Sequence, residues 1–183
     1  LALLSLLARL GSSKPVELAG SLDEIAAGFE LESFGAAPTK FDEADLLPLT
    51  AHYLAALPYE AVKDDIAALG VPDGQAADFW EVVRENIGTR ADMQAWWELM
   101  QNGAEPLVDE ADAEFVAQAM TLLPEPPYTA QSWGDWTKAV KEATGRKGRG
   151  LFMPLRKALT GMDRGPDMGR LMPLLQKVGA RKG

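Results

Sequence analysis

Apolar residues recur along most of this chain at spacings of three and four, the period of one helix face rather than of a strand. Leu46, Leu49, Tyr53 and Leu57 make one such stripe, and Val62, Ile66 and Leu69 the next. Phe79, Val83 and Ile87, with Trp80 beside them, continue it, as do Met93, Trp96, Trp97 and Met100. Phe115, Val116, Ala119, Met120 and Leu123 follow, then Trp133, Trp136 and Val140. The last two stripes are Phe152, Leu155 and Leu159, and Met168, Leu171, Met172, Leu175 and Val178. No stretch alternates apolar and polar residues as a half-buried strand does, and no hairpin signal joins two strand-like runs. The pattern predicts an all-α fold of several short helices packed at varied angles.

Helix start and stop signals agree. Ser21 and Glu24 have the spacing of a capping box. Asp92 and Asp109 stand where N-caps belong, and Gly70 and Gly103 follow apolar stripes as C-terminal stops. Gly165-Pro166 is expected to put proline in the first turn of the final helix. Residues 31–40 (LESFGAAPTK) form a Gly/Pro/Ala-rich passage between an entry segment and the body, and residues 123–128 (LPEPPY) a stiff bend before a basic segment. There is no repeat of constant period and no low-complexity tract.

Composition narrows the function classes. With 183 residues, 47 % of them hydrophobic and 25 % charged, the chain can bury a real core without staples. It has no cysteine, which excludes disulfides, thiolate chemistry and Cys-ligated zinc. The one histidine, His52, cannot build a multi-histidine metal site. No apolar run reaches the roughly 18 residues of a membrane span, and no signal peptide is visible; the lack of cysteine fits a reducing cytoplasm, the expected location, and fits other compartments as well. The chain opens at Leu1 inside LALLSLLARLG, as a cut through a longer protein would.

The net charge of −9 argues against nucleic acid for the chain taken whole, but the charge is unevenly spread. Residues 138–183 hold 12 of the 18 Lys and Arg and 3 of the 27 Asp and Glu, a net +9 against −18 for the remainder. Such asymmetry fits a basic part that meets a polyanion. It fits equally a solvated tail that balances an acidic body.

The GRKGRG run at 145–150 lacks the Gly-Lys-Ser/Thr ending and the preceding strand of a nucleotide-binding loop. It reads as a basic turn between two helices, with Arg146, Lys147 and Arg149 placed to touch phosphates or water. In the following LFMPLRKALTG, Phe152, Leu155 and Leu159 are the expected buried side and Arg156 borders it. There a guanidinium either forks onto a base edge or snorkels with its stem over the core. The five tryptophans, Trp80, Trp96, Trp97, Trp133 and Trp136, could stack on bases, but their helical spacing assigns most of them to core packing. His52 reads as structural. Asp64-Asp65 and Glu110 with Glu114 read as solvated helix charge, and no convergent catalytic groups are found.

At this point the residues resemble a family. ALLSLLARLGSS, SLDEIAAGFEL and APTKFDEADLLPLTAHYL resemble the stretch of bacterial glutamyl-tRNA synthetases just after their second class I signature. FWEVVRENI, the WW pair and above all TGRKGRGLFMPLRKALTGMDRGPDMGRLMPLL resemble that family's C-terminal region. The resemblance covers essentially the whole chain, and residues 98–135 carry it least distinctively.

It implies an anticodon-binding, all-α part of a class I aminoacyl-tRNA synthetase, an α-helical cage of two subdomains. Residues 1–40 would be the end of the stem-contact region, 41–92 the first anticodon-binding subdomain, and 93–183 the second with its basic segment. Arg156 and the Gly165, Pro166 and Met168 stretch would lie near the third anticodon base, and Asn86 beside Arg84 near the first. Arg146, Lys147, Arg149 and Lys157 would hold phosphates. Some members carry arginine where Asn86 stands. An amide accepts or donates while arginine only donates, so tRNA-Glu alone and tRNA-Glu with tRNA-Gln both stay open. Thr50 departs from the Asn of many relatives. The resemblance implies no cofactor in these residues. ATP, Mg2+ and glutamate attachment belong to a catalytic domain with HIGH and KMSKS-type signatures, which this chain does not contain, so the chain alone would be an inactive, monomeric partner of tRNA. The rival readings are a helical protein-interaction module with a basic tail and an unrelated helical enzyme.

Overall fold

The structure, a computed structural model, describes residues 1–179; Arg181 and Lys182 of the basic segment lie outside the described residues. Ten α-helices are described: α1 (Ala2–Leu7), α2 (Leu22–Ala27), α3 (Leu46–Ala56), α4 (Lys63–Ala68), α5 (Asp73–Val83), α6 (Asp92–Asn102), α7 (Ala113–Thr121), α8 (Ser132–Thr144), α9 (Arg149–Thr160) and α10 (Met168–Leu171). Short 3-10 turns link them, including Arg84–Asn86 after α5 and Glu110–Asp112 before α7. No strand occurs among the described residues, only an isolated bridge between Ser12 and Phe34. The fold is all-α.

One core cluster runs from Leu54 to Val178 and draws on every helix from α3 to α10. Trp80, Trp96, Trp97 and Trp136 are buried in it, and Trp133 packs on it half-buried. Burying an indole strands its N–H unless a partner is found. Trp80 Nε1 donates to the Leu57 carbonyl at 3.0 Å and Trp136 Nε1 to that of Ala119 at 2.9 Å, which ties α5 to the end of α3 and α8 to α7. A smaller cluster of Ala2, Leu6 and Leu49 joins α1 to α3. Gln176 N donates to Met100 O at 2.7 Å, laying the C-terminal segment along the end of α6.

Several helix-end expectations need amendment. Ser21 does accept from Glu24 N at 3.1 Å, but the Glu24 carboxylate reaches Gly20 N rather than Ser21 N, so the box closes one residue early. Asp92 is the first residue of α6, and its carboxylate faces backwards to accept from Gly88 N at 2.8 Å and Thr89 N at 2.9 Å. Asp109 precedes the 3-10 turn without capping it and pairs with Lys157 instead. Pro166 falls before α10, whose cap is Asp167, accepting from Arg170 N at 3.1 Å. Gly70 and Gly103 end α4 and α6 at positive φ, as the spacing suggested. Thr50 turns its hydroxyl back onto the Leu46 carbonyl, and His52 is exposed on α3. Asp65 forms an ion pair with Arg90, which ties α4 to the turn before α6.

In α9 the buried side is Leu151, Pro154, Leu155, Ala158 and Leu159, and Phe152 is 45 % exposed, against the expectation that it is buried. Both registers fit helical spacing. Pro154 decides between them, because an apolar residue inside the helix completes the i, i+3, i+4, i+7 face that starts at Leu151. Proline has no N–H to offer the carbonyl four residues back. That carbonyl, of Gly150, accepts from Arg146 Nη1 at 3.3 Å.

Candidate nucleic-acid interface

α9 ends at Gly161, and the loop from there to Asp167 folds back over α6. Gly165 is the closest approach. A Cβ there would lie 3.1 Å from Trp96 Cη2 and 3.4 Å from Arg156 Nη1, and its φ of +146° is open to glycine alone. The loop backbone therefore lies on the Trp96 indole with the Arg156 guanidinium alongside. Pro166 and Met168 are buried, so their side chains anchor this loop on the core.

Arg156 Nη1 is buried and has no hydrogen-bond partner. Burial pushes the guanidinium pKa down from its ordinary value, and the nearby Asp167 carboxylate acts the other way. A buried N–H left unpaired costs about 1–3 kcal/mol.

Trp96 also reaches the other half of the expected site. Its Nε1 donates to the Asn86 carbonyl at 3.4 Å, which ties α6 to the 3-10 turn Arg84–Asn86. The Asn86 side chain is exposed, with Nδ2 at 3.5 Å from the Val82 carbonyl. Arg84 Nη2 pairs with Glu81 at 3.3 Å, and Arg170 approaches the same carboxylate at 4.0 Å. The structure thus brings Arg156, Gly165 and Asn86 around one indole. Sequence spacing assigned most of the tryptophans to core packing and did not single out Trp96, because an indole that packs on its inner face and supports a loop on its edge has the same helical period.

The basic candidates divide. Arg146 pairs with Asp112 at 2.5 Å and lies 4.0 Å over the Phe115 ring, and Lys157 Nζ pairs with Asp109 at 2.7 Å. Lys147 and Arg149 are exposed, with no ion pair among the described residues. Arg149 opens α9, about 10 Å along its axis from Arg156 at 1.5 Å per residue. Residues 145–148 bend sharply between α8 and α9, with Gly145 and Gly148 at positive φ, so the expected 145–150 turn ends two residues early, and no strand precedes it among the described residues. No group of three or more His, Asp or Glu that could hold a metal occurs among the described residues. None of their helices is long and apolar enough to cross a membrane.

Residues 98–182 match the family model of an anticodon binding domain. Over 181 residues, 99 % of its length, the chain is 62 % identical to Glutamate--tRNA ligase 2 of Cereibacter sphaeroides and to Glutamate--tRNA ligase 1 of Ruegeria pomeroyi. It spans 41 % of the length of each. Among solved structures it is similar to a glutamate-tRNA synthetase from Elizabethkingia anophelis, with a TM-score of 0.70 at 22 % identity, over 95 % of this chain and 37 % of that one. That likeness shows the all-α fold.

Proposed function

We infer that this chain, aligned along 99 % of its length with the C-terminal part of bacterial glutamate–tRNA ligases, belongs to that family as its tRNA-reading portion. The observation that carries the reading is the unpaired, buried Arg156 Nη1, which lies beside Gly165 where its loop meets Trp96. Unstacked anticodon bases offer ring nitrogens and carbonyls to such a donor. Arg156 would donate to the third anticodon base beside the Gly165–Met168 loop, and Asn86, with Arg84 next to it, would meet the first. Lys147 and Arg149 would take phosphates directly. Arg146 and Lys157 would do so only by exchanging Asp112 and Asp109 for RNA. Residues 1–40 would belong to the stem-contact region, and 41–92 and 93–183 to two anticodon-binding subdomains.

Glutamate attachment to tRNA-Glu, with ATP and Mg2+, would be the work of a catalytic domain joined to this one. The described residues do not fit a nucleotide: the glycine-rich turn joins two helices, and among them no group of three or more His, Asp or Glu could hold a metal. The exposed Asn86 amide leaves tRNA-Gln as a second partner. We place the protein in the cytoplasm as a monomer.

The test is binding of tRNA-Glu and of a non-cognate tRNA to the 183-residue chain at low salt, beside Arg156→Ala. Cognate preference is expected, and the variant should lose roughly 1–3 kcal/mol of discrimination. Equal binding to every tRNA, unchanged by Arg156→Ala, would leave only a basic tail. A salt-sensitive complex with protein but not RNA would favour an interaction module.

A further inference from the structure

The side of α9 that faces away from the core is not a uniform polar surface. Arg149, Phe152 and Arg156 stand at i, i+3 and i+7, a spacing that puts all three on one stripe. Phe152 is 45 % exposed, and its ring lies 6.3 Å from that of Trp133, tilted by 37°. Trp133 in turn meets the buried Trp136 edge-on at 5.7 Å. The three rings form a ladder that climbs from the core to the surface. A single exposed phenylalanine is ordinary; this one is braced from below by a second ring. One turn before it the backbone is bare, since a Cβ added at Gly148 would meet nothing within 4 Å. The neighbouring cations Lys147 and Arg149 are exposed and form no ion pair among the described residues.

A half-exposed apolar ring with free cations beside it suits a ligand that is both planar and anionic. Single-stranded nucleic acid has that alternation of base and phosphate. An acidic protein segment would be repelled by nothing here, but it would leave the aromatic face unused. We propose that Phe152, backed by Trp133 and flanked along α9 by Arg149 and Arg156, is a stacking platform for one unpaired nucleobase, with Lys147 and Arg149 on the adjoining phosphates. The site rests on the RNA-binding reading above and adds to it a subsite for a base other than the one at Arg156.

Binding of a tRNA-Glu transcript to the full 183-residue chain is measured for the unaltered protein and for Phe152→Ala, Phe152→Leu, Phe152→Tyr and Arg156→Ala. Thermal midpoints serve as the folding control. Phe152→Ala is expected to weaken binding roughly 5- to 150-fold, the range for one base stacked on an aromatic ring. Phe152→Leu should lose nearly as much, although it keeps the apolar volume, and Phe152→Tyr should bind normally. RNA should quench tryptophan fluorescence less in Trp133→Phe than in the unaltered protein. If Arg156→Ala weakens binding while Phe152→Ala and Phe152→Leu do not, the platform is refuted and the anticodon reading stands. If the unaltered chain binds no tRNA even at low salt, both fall together. Self-association that Phe152→Ala abolishes, with RNA binding unchanged, would make the patch a face for a second copy and overturn the proposal.

Discussion

At the scale of single residues, the balance at Arg156 depends on a glycine nine positions later. Gly165→Ala would place a methyl 3.1 Å from Trp96 Cη2 and 3.4 Å from Arg156 Nη1, at a φ that other residues rarely adopt. We expect it to cost about 1–3 kcal/mol of stability and to weaken tRNA-Glu binding. The salt dependence of binding should not change, because no phosphate contact is removed. A loss of binding accompanied by a shallower salt slope would show that the loop carries phosphate rather than base contacts. Arg156→Lys is a sharper probe, since it keeps the charge and loses the planar fork. Cognate preference should fall while non-cognate binding stays level, measured as the ratio of the two affinities. Arg156 itself was visible in the sequence at the border of an apolar face. Its two alternatives, fork and snorkel, could not be separated there, and the approach of the Gly165 loop to its Nη1 has no sequence period that would reveal it.

At the scale of elements, the 88–91 turn that follows Asn86 is held by Asp92. Burial pushes the Asp92 carboxyl up, but hydrogen bonds from the Thr89 and Gly88 N–H groups and the Thr89 hydroxyl outweigh it and hold its pKa below the ordinary 3.8. A group whose folded-state pKa is depressed contributes stability above its unfolded value and loses it as pH falls through the folded one. Asp92→Ala is therefore expected to cost about 1 kcal/mol at neutral pH. The gap between variant and unaltered protein should narrow only below pH 3.8, in denaturant melts taken across that range. A gap that stayed constant down to the lowest pH would mean that the carboxylate's charge does nothing. The sequence located this aspartate at a helix start but assigned it the wrong duty. Caps are expected to bond forwards, and only the path of the 88–91 turn shows that this one bonds backwards. α9 teaches the same lesson. Its helix was legible, and Leu155 and Leu159 are buried as expected, but Phe152 was read into the buried face in place of Leu151 because proline was not counted among the apolar positions.

At the scale of the whole molecule, the division of charge was plain in the sequence and its consequences were not. One core from Leu54 to Val178 holds the basic helices against acidic partners, so nearness in space decides which cations are available. Asp109 and Asp112, both at the 3-10 turn before α7, reach across to Lys157 and Arg146. Two of the four candidate phosphate ligands are thereby spent within the molecule. Each free cation that meets a phosphate on single-stranded RNA adds about 0.7 to the magnitude of the log–log salt slope. Lys147→Ala and Arg149→Ala should each make the slope shallower by about that amount, whereas Lys157→Ala should barely alter it. Asp109→Asn gives the opposite sign. Its pair with Lys157 is largely exposed on the carboxylate side, so breaking it should move stability by less than about 1 kcal/mol. Lys157, released beside Arg156, should then raise RNA affinity and steepen the slope by up to about 0.7, read from titrations at several salt concentrations. If affinity and slope stay fixed while stability drops, the pair is a structural tie between α9 and the strap that precedes α7. The acidic body would then tune nothing about RNA at that position.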